Sequence, residues 1–218
     1  MASLFLISAL TVVAIAIAAP LLVIQWRRMH IRHGQWVCHG QWADVTLDPE
    51  TADCDLTLPE DGKRVRYGDR QDLTDNQQRF DIWLCVVSRE SFTSGRHYWV
   101  LEVNGGCIIG VTRESANRRG GISFTPQQGY WCLYCDSSSL SALTDPQTRL
   151  SQTLRPRKLG VCVDIEERQV SFYAVESRAH IYTFTDMHFT EGEEIYPFFW
   201  TWDEENDLVI LPPVDLEL

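Results

Sequence analysis

HYWVLEVNGGCIIGVT, residues 97–112, is the stretch from which the rest of the chain is read. Two runs rich in β-branched and aromatic residues flank Asn104-Gly105, and such residues favour extended backbone. Asn-Gly between apolar runs is a strong signal for a tight hairpin. The stretch therefore predicts two neighbouring strands.

The pattern continues outward on both sides. Residues 80–88 (FDIWLCVVS), 121–124, 130–134, 159–165, 170–175, 181–184, 196–202 and 208–211 read as further strands, separated by turn formers and charge. Beyond the first 26 residues no long window carries a helical period. Residues 45–218 contain neither a repeat of 20–50 residues nor a low-complexity linker. The expected fold is all-β, a two-sheet antiparallel β-sandwich, preceded by one transmembrane helix.

Composition narrows the function. The 218 residues carry 19 Lys and Arg against 30 Asp and Glu, a net charge of −11. Nucleic-acid binding needs clustered cations to neutralise phosphates, so that class is excluded. Broad contact with anionic lipid is disfavoured for the same reason.

Residues 3–26 contain no charged side chain and are long enough to cross a bilayer. Arg27, Arg28 and Arg32 follow at once, so the positive-inside bias puts the C-terminal side in the cytosol. Residues 1–26 are expected to be a single-pass membrane anchor, with the plasma membrane as the expected location. The alternative is a cleaved signal peptide, since Ala16-Ile17-Ala18 resembles a cleavage site. Residues 27–43 read as a juxtamembrane linker, in which His-Gly-Gln-Trp occurs at 33–36 and again at 39–42. His30, His33, Cys38 and His39 offer an alternative metal-binding set, but their spacing matches no familiar site, and no metal or cofactor is expected.

The cysteines are Cys38, Cys54, Cys85, Cys107, Cys132, Cys135 and Cys162. An odd count at scattered spacing does not suggest a disulfide framework. Cys85, Cys107, Cys132 and Cys162 sit in strand-like apolar runs, where a free thiol packs as a small hydrophobe. A reducing compartment is expected.

Several blocks then resemble a known family in order along the chain. They are VTLDPETA (45–52), RVRYGDRQDLTDNQQRF (64–80), ESFTSGRHYWVLEV (90–103), GVTRESANRRGG (110–121), PQQGYW (126–131), LGVCVDIEERQVSFY (159–173), HIYTF (180–184) and YPFF (196–199). Together they resemble the B30.2 domain, with a PRY part at about 44–90 and a SPRY part at about 91–211. The butyrophilin branch is the most similar, and residues 44–218 are assigned to this domain. The resemblance implies two twisted sheets whose variable loops bind proteins, peptides or small ligands, on the cytosolic side of a membrane and in immune regulation that includes T-cell modulation.

Tyr98, Trp99, Phe172, Tyr173 and Phe198 are expected mostly in the core. Asp164 and Glu166 are expected to be structural, at a strand end or turn. Some butyrophilins bind phosphorylated metabolites in a basic pocket, whose positions correspond here to Trp83, Ile108, Ser123, Ser141 and Trp200. None carries the cation a phosphate needs. The expected partner site is instead a neutral, aromatic surface of Trp83, Cys107, Ile108, Ser141, Trp200 and Trp202, edged by Asp203, Glu204 and Glu205. Its acidic rim favours a basic segment of a protein or peptide.

The motifs of common enzyme classes are absent: no Gly-x-Ser-x-Gly, no Walker loop, no Gly-x-Gly-x-x-Gly and no His-Glu-x-x-His. Cys132-x-x-Cys135 has no second pair for zinc, and on a strand its thiols would face opposite ways. A binding role is expected and not catalysis. A regulatory or decoy subunit that pairs with longer butyrophilin-like chains, as homo- or hetero-oligomer, is the remaining alternative.

Overall fold

A computed structural model describes Cys38 and residues 40–213. The proposed membrane anchor, most of the repeated His-Gly-Gln-Trp segment and His30, His33 and His39 lie outside the described residues. Among the described residues no helix is long and apolar enough to cross a membrane.

The strands are β1 (Gln41–Trp42), β2 (Leu56–Thr57), β3 (Arg64–Tyr67), β4 (Cys85–Val87), β5 (Arg96–Glu102), β6 (Cys107–Arg113), β7 (Tyr130–Cys135), β8 (Leu140–Ala142), β9 (Thr148–Arg149), β10 (Lys158–Asp164), β11 (Gln169–Ala174), β12 (Ala179–Phe184), β13 (Ile195–Thr201) and β14 (Leu208–Ile210). One sheet runs β12-β11-β10-β5-β14-β3-β2, with β1 paired parallel to β5. The other runs β4-β13-β6-β7-β8-β9. Apart from β1, pairing is antiparallel.

The predicted hairpin at Asn104-Gly105 does not form. Strand β5 is flanked by β10 and β14, while β6 is flanked by β13 and β7. The chain crosses between sheets at this turn. Its glycines serve close approach: a Cβ on Gly105 would stand 1.8 Å from Asp203 Oδ2, and one on Gly106 would stand 2.5 Å from Trp202 Nε1. Residues 121–124 also form no strand, and of 80–88 only Cys85–Val87 do. The apolar character of both segments serves packing instead. Strand β1 and the buried Ala43 lie within the stretch expected to be linker.

The apolar runs of β6, β7 and β13 are explained by burial on both faces. Ile109, Val111, Trp131, Leu133 and Phe199 face the core between the sheets, with Trp99 and Phe172. Ile108, Tyr130, Cys132, Phe198 and Trp200 face a second, smaller core on the outer side of the six-stranded sheet. Phe80, Ala116, Ile122 and Phe124 cover it. Burying each large apolar side chain contributes about 1.5–3 kcal/mol. Two arginines hold this cover. Arg79 is 4% exposed and donates to the carbonyls of Pro49 at 2.8 Å and Ala52 at 2.6 Å. The Arg118 guanidinium lies 5.9 Å from the Phe80 ring centre and 5.4 Å from that of Tyr196, a cation–π arrangement.

Trp99, Phe172 and Phe198 are fully buried as expected. Tyr98 and Tyr173 are only half-buried, because they alternate away from the central core. Asp164 accepts from Arg96 Nε at 2.8 Å, and Glu166 accepts from the Gly95 amide at 2.7 Å. Both carboxylates thus tie the β10–β11 turn to the start of β5.

The cysteine reading needs a correction. Cys162 is not a free packed thiol: it forms a disulfide with Cys38 across 124 positions of sequence. Cys162 projects from the β10 face opposite the central core, which leaves its sulfur accessible to the segment before β1. Cys54, Cys85, Cys107, Cys132 and Cys135 are free.

Candidate binding surface

Strand register assembles a row across the outer face of the six-stranded sheet. Trp200 is opposite Ile108, Ile108 opposite Tyr134, Tyr134 opposite Ser141, and Ser141 opposite Arg149. Residues directly opposite in a ladder point to the same face. Trp200, Ile108 and Ser141, expected from sequence, therefore stand together. Tyr134 and Arg149 extend the row on one side of Trp200 and Cys85 of β4 on the other, and Tyr134 and Arg149 escape the sequence reading. Their membership depends on strand pairing, for which the local sequence offers no signal.

Trp202 projects beside this row. It is 49% exposed, packs edge-on to Trp200 with ring centres 5.0 Å apart, and lies 6.3 Å from Tyr134. Half-buried Trp83 meets Phe124 edge-on at 5.3 Å. Ile108, Ser141 and Trp200 are themselves buried, at 6%, 1% and 8% exposure. Ser141 Oγ and Trp83 Nε1 are buried without a hydrogen-bond partner among the described residues. Each such group costs on the order of 1–3 kcal/mol.

Cys107 does not join the surface. It is 2% exposed and points into the core between the sheets, one residue out of phase with Ile108. Burial pushes its thiol well above the ordinary range, as it does for Cys85 and Cys132, which makes these thiols poor nucleophiles. Cys132 and Cys135 belong to opposite cores, as the strand alternation requires.

The acidic rim is divided. Asp203 Oδ1 accepts from the amides of Glu205 at 2.9 Å and Asn206 at 2.7 Å, so this carboxylate shapes its own loop. Glu204 and Glu205 are exposed and make no ion pair among the described residues. At the β7–β8 turn the Tyr134 hydroxyl donates to Asp136, and this bond with those from Ser138 and Ser139 holds the Asp136 carboxyl below its ordinary value. Burial, reinforced by Asp136, pushes the Tyr134 phenol up to about 12, so it remains a donor at neutral pH.

A second depression is lined by residues 75–78 and 114–119. Arg119 bridges it to Asp75 at 2.8 Å and to Asp81 at 3.4 Å. It reads as the seam between the two covering segments, closed by its own ion pairs.

Comparison with known proteins agrees with this architecture. The PRY family, a SPRY-associated domain, matches residues 45–92, and the SPRY domain family matches residues 96–210. Human butyrophilin subfamily 1 member A1 is 42% identical over 176 residues, which cover 79% of this chain and 33% of that protein. Mouse butyrophilin subfamily 2 member A2 is 40% identical over 192 residues, covering 87% and 35%. The human erythroid membrane-associated protein is 39% identical over 178 residues, covering 80% and 35%. The chain thus spans about a third of the length of the curated relatives it matches. Among solved structures, that of stonustoxin superposes with a TM-score of 0.68 at 25% identity, over 78% of this chain and 29% of that one. The TRIM65 PSpry domain gives 0.65 at 22%, over 79% and 91%. The collinear PRY and SPRY segments and the two-sheet sandwich establish that the chain belongs to the SPRY-domain family, as a butyrophilin-like B30.2 protein.

Proposed function

We propose that this domain is a protein-interaction module that takes a protein or peptide segment against Trp83, Tyr134, Trp200 and Trp202. The observation that carries this reading is the half-exposed Trp202 seated on Trp200 and Tyr134. A rigid aromatic over an apolar floor with charged neighbours has the composition of a binding hot spot. Membership in a family of binding modules supports the same class. Membrane tethering by residues 1–26, and a butyrophilin-type role in immune regulation, belong to the proposal: the apolar run with its arginine flank and the butyrophilin relatives support them. Pairing with longer butyrophilin-like chains would follow from the same tether.

The Cys38–Cys162 disulfide favours a second reading of the compartment, because such bonds persist in oxidising surroundings. In it the first residues are a cleaved signal, and the domain is lumenal or secreted. Protease protection of a C-terminal tag separates the two. Digestion after selective opening of the plasma membrane supports the cytosolic tether. Protection until internal membranes dissolve, or tag in the medium, supports the second reading. For the surface itself, binding of a selected peptide should be lost in Trp202→Ala with the fold intact.

A further inference from the structure

The Cys38–Cys162 disulfide lies on the outer face of the eight-stranded sheet, and Cys162 belongs to neither core. Cys162 of β10 is opposite Tyr98 of β5. Tyr98 is in turn opposite Trp42 of β1, and the two rings meet edge-on with centres 5.1 Å apart. The bond returns from Cys162 to Cys38, a few residues before Trp42. The chain entering the domain is thus held at two points, once covalently and once by strand pairing.

The pairing by itself is slight. Strand β1 has two residues, set parallel to His97 and Tyr98, and the Ala43 amide after it donates to the Tyr98 carbonyl at 2.9 Å. Trp42 Nε1 is buried without a hydrogen-bond partner among the described residues, which opposes docking of this ring. Gln41 is exposed. From Ala43 onward the hold changes. Ala43 and Val45 are in the central core, and the Thr46 amide donates to Glu90 at 2.7 Å. A two-residue strand with an unpaired indole donor depends on the covalent bond, whereas the chain after it does not.

We propose that Cys38–Cys162 is a thiol-operated latch: reduction releases Cys38 and residues 40–42 from β5 and β10 while both sheets stay folded, and oxidation docks them again. A small thiol such as glutathione attacks the partly exposed Cys38 sulfur, forms a mixed disulfide there and expels the Cys162 thiolate, which takes up a proton. A second glutathione thiolate attacks the glutathione sulfur of that mixed disulfide, expels the Cys38 thiolate and leaves as glutathione disulfide. Glutathione disulfide closes the latch by the reverse steps, so two electrons pass in each direction. The other thiols are poorly placed to compete. Burial raises those of Cys85, Cys107, Cys132 and Cys135, and Cys54 precedes β2, which three strands separate from β10. The latch rests closed in an oxidising compartment and open in a reducing one, so it operates under either reading of the topology and is independent of the peptide surface. Opening it uncovers the edge of β5 at His97 and Tyr98, and lengthens the free entry segment by about 17 Å of extended chain.

The test uses the full chain in nanodiscs, equilibrated in mixtures of reduced glutathione and glutathione disulfide. Amide hydrogen exchange reads the segment, and alkylation of the quenched, denatured chain reads the bond. As the number of alkylated cysteines rises from five to seven, exchange at Gln41–Ala43 should speed up by about tenfold or more, as local opening does. Strands β5 and β10 should stay protected, and excess glutathione disulfide should restore slow exchange at Gln41–Ala43. Cys38→Ser should exchange there like the reduced protein at every ratio. The latch is overturned if exchange at Gln41–Ala43 does not respond to reduction, because docking then holds without the bond. It is overturned equally if β5 and β10 lose protection together with that segment, which makes the bond a staple of the whole domain. It also fails if no glutathione mixture opens the bond in the folded protein. The wild-type titration decides each of these outcomes even where the variant does not fold.

Discussion

Trp202 stands edge-on against Trp200, with ring centres 5.0 Å apart and planes at 67°. The lower ring is 8% exposed and the upper 49%. The two indoles are joined in one contact but divided in role.

Their substitutions should therefore separate. Trp200→Ala removes a buried ring and should cost about 3–5 kcal/mol. Trp202→Ala should cost under about 1 kcal/mol, since surface changes are usually small, yet should abolish peptide binding. Urea unfolding and anisotropy on the same samples check both.

Gly106 carries the upper ring. A Cβ there meets Trp202 Nε1 at 2.5 Å and Cε2 at 2.8 Å, so the indole must move. Gly106→Ala should destabilise by about 1–3 kcal/mol, as overpacking does, and should shift tryptophan emission. In a Trp202→Ala background most of that cost should vanish, because the clashing atoms are gone. An equal cost in both backgrounds would place the strain elsewhere.

Glu193 joins the segment after β6 to the segment before β13. Its carboxylate accepts from the amides of Ser115 at 3.1 Å and Thr190 at 2.8 Å, and from both hydroxyls. Burial alone would raise its pKa, but these bonds outweigh burial and hold it below the ordinary 4.5. A lowered carboxyl pKa stabilises the fold above the unfolded value, and that stability is lost as pH falls through the folded value. Glu193→Gln should cost about 1–3 kcal/mol at pH 7. The gap from wild type should shrink as pH falls below 4.5, measured by chemical denaturation at stepped pH.

The disulfide makes a countable prediction. Alkylation of the oxidised, denatured chain should modify five thiols, Cys54, Cys85, Cys107, Cys132 and Cys135, and all seven after reduction. Cys38→Ser should lower stability by up to about 4–5 kcal/mol, the chain-entropy scale for a loop of more than about 100 residues. Mass spectrometry and thermal unfolding read the two effects.

Much of the core is legible in the residue order. The runs CIIGVT and YWCLYC contain no polar face, and both strands are buried on both sides. Trp99, Phe172 and Phe198 are identifiable as core, while the grouping of Trp200, Ile108 and Ser141 follows from the resemblance to butyrophilins, and the strand register sets them on one face. Cys107 fails by one residue of strand phase, which on a period of two sends a side chain to the other face. The Cys38–Cys162 pairing has no local signal, because its partners lie 124 residues apart.

Strand content, the lack of a helical period beyond the first 26 residues, the family and the aromatic character of the surface all follow from the amino-acid order. Strand content and aromatic character depend on side-chain type and on periods within a few residues, and the family on the resemblance of motif blocks in order along the chain. Two things came from the folded chain alone: Asn104-Gly105 crosses between sheets, and Tyr134 and Arg149 extend the Trp200 row. A strand's backbone donors and acceptors carry no label for their partner. The edges of β5 are taken by β10 and β14, far along the chain, and none is left for β6. Which residues become neighbours across a sheet is settled by how both cores close at once.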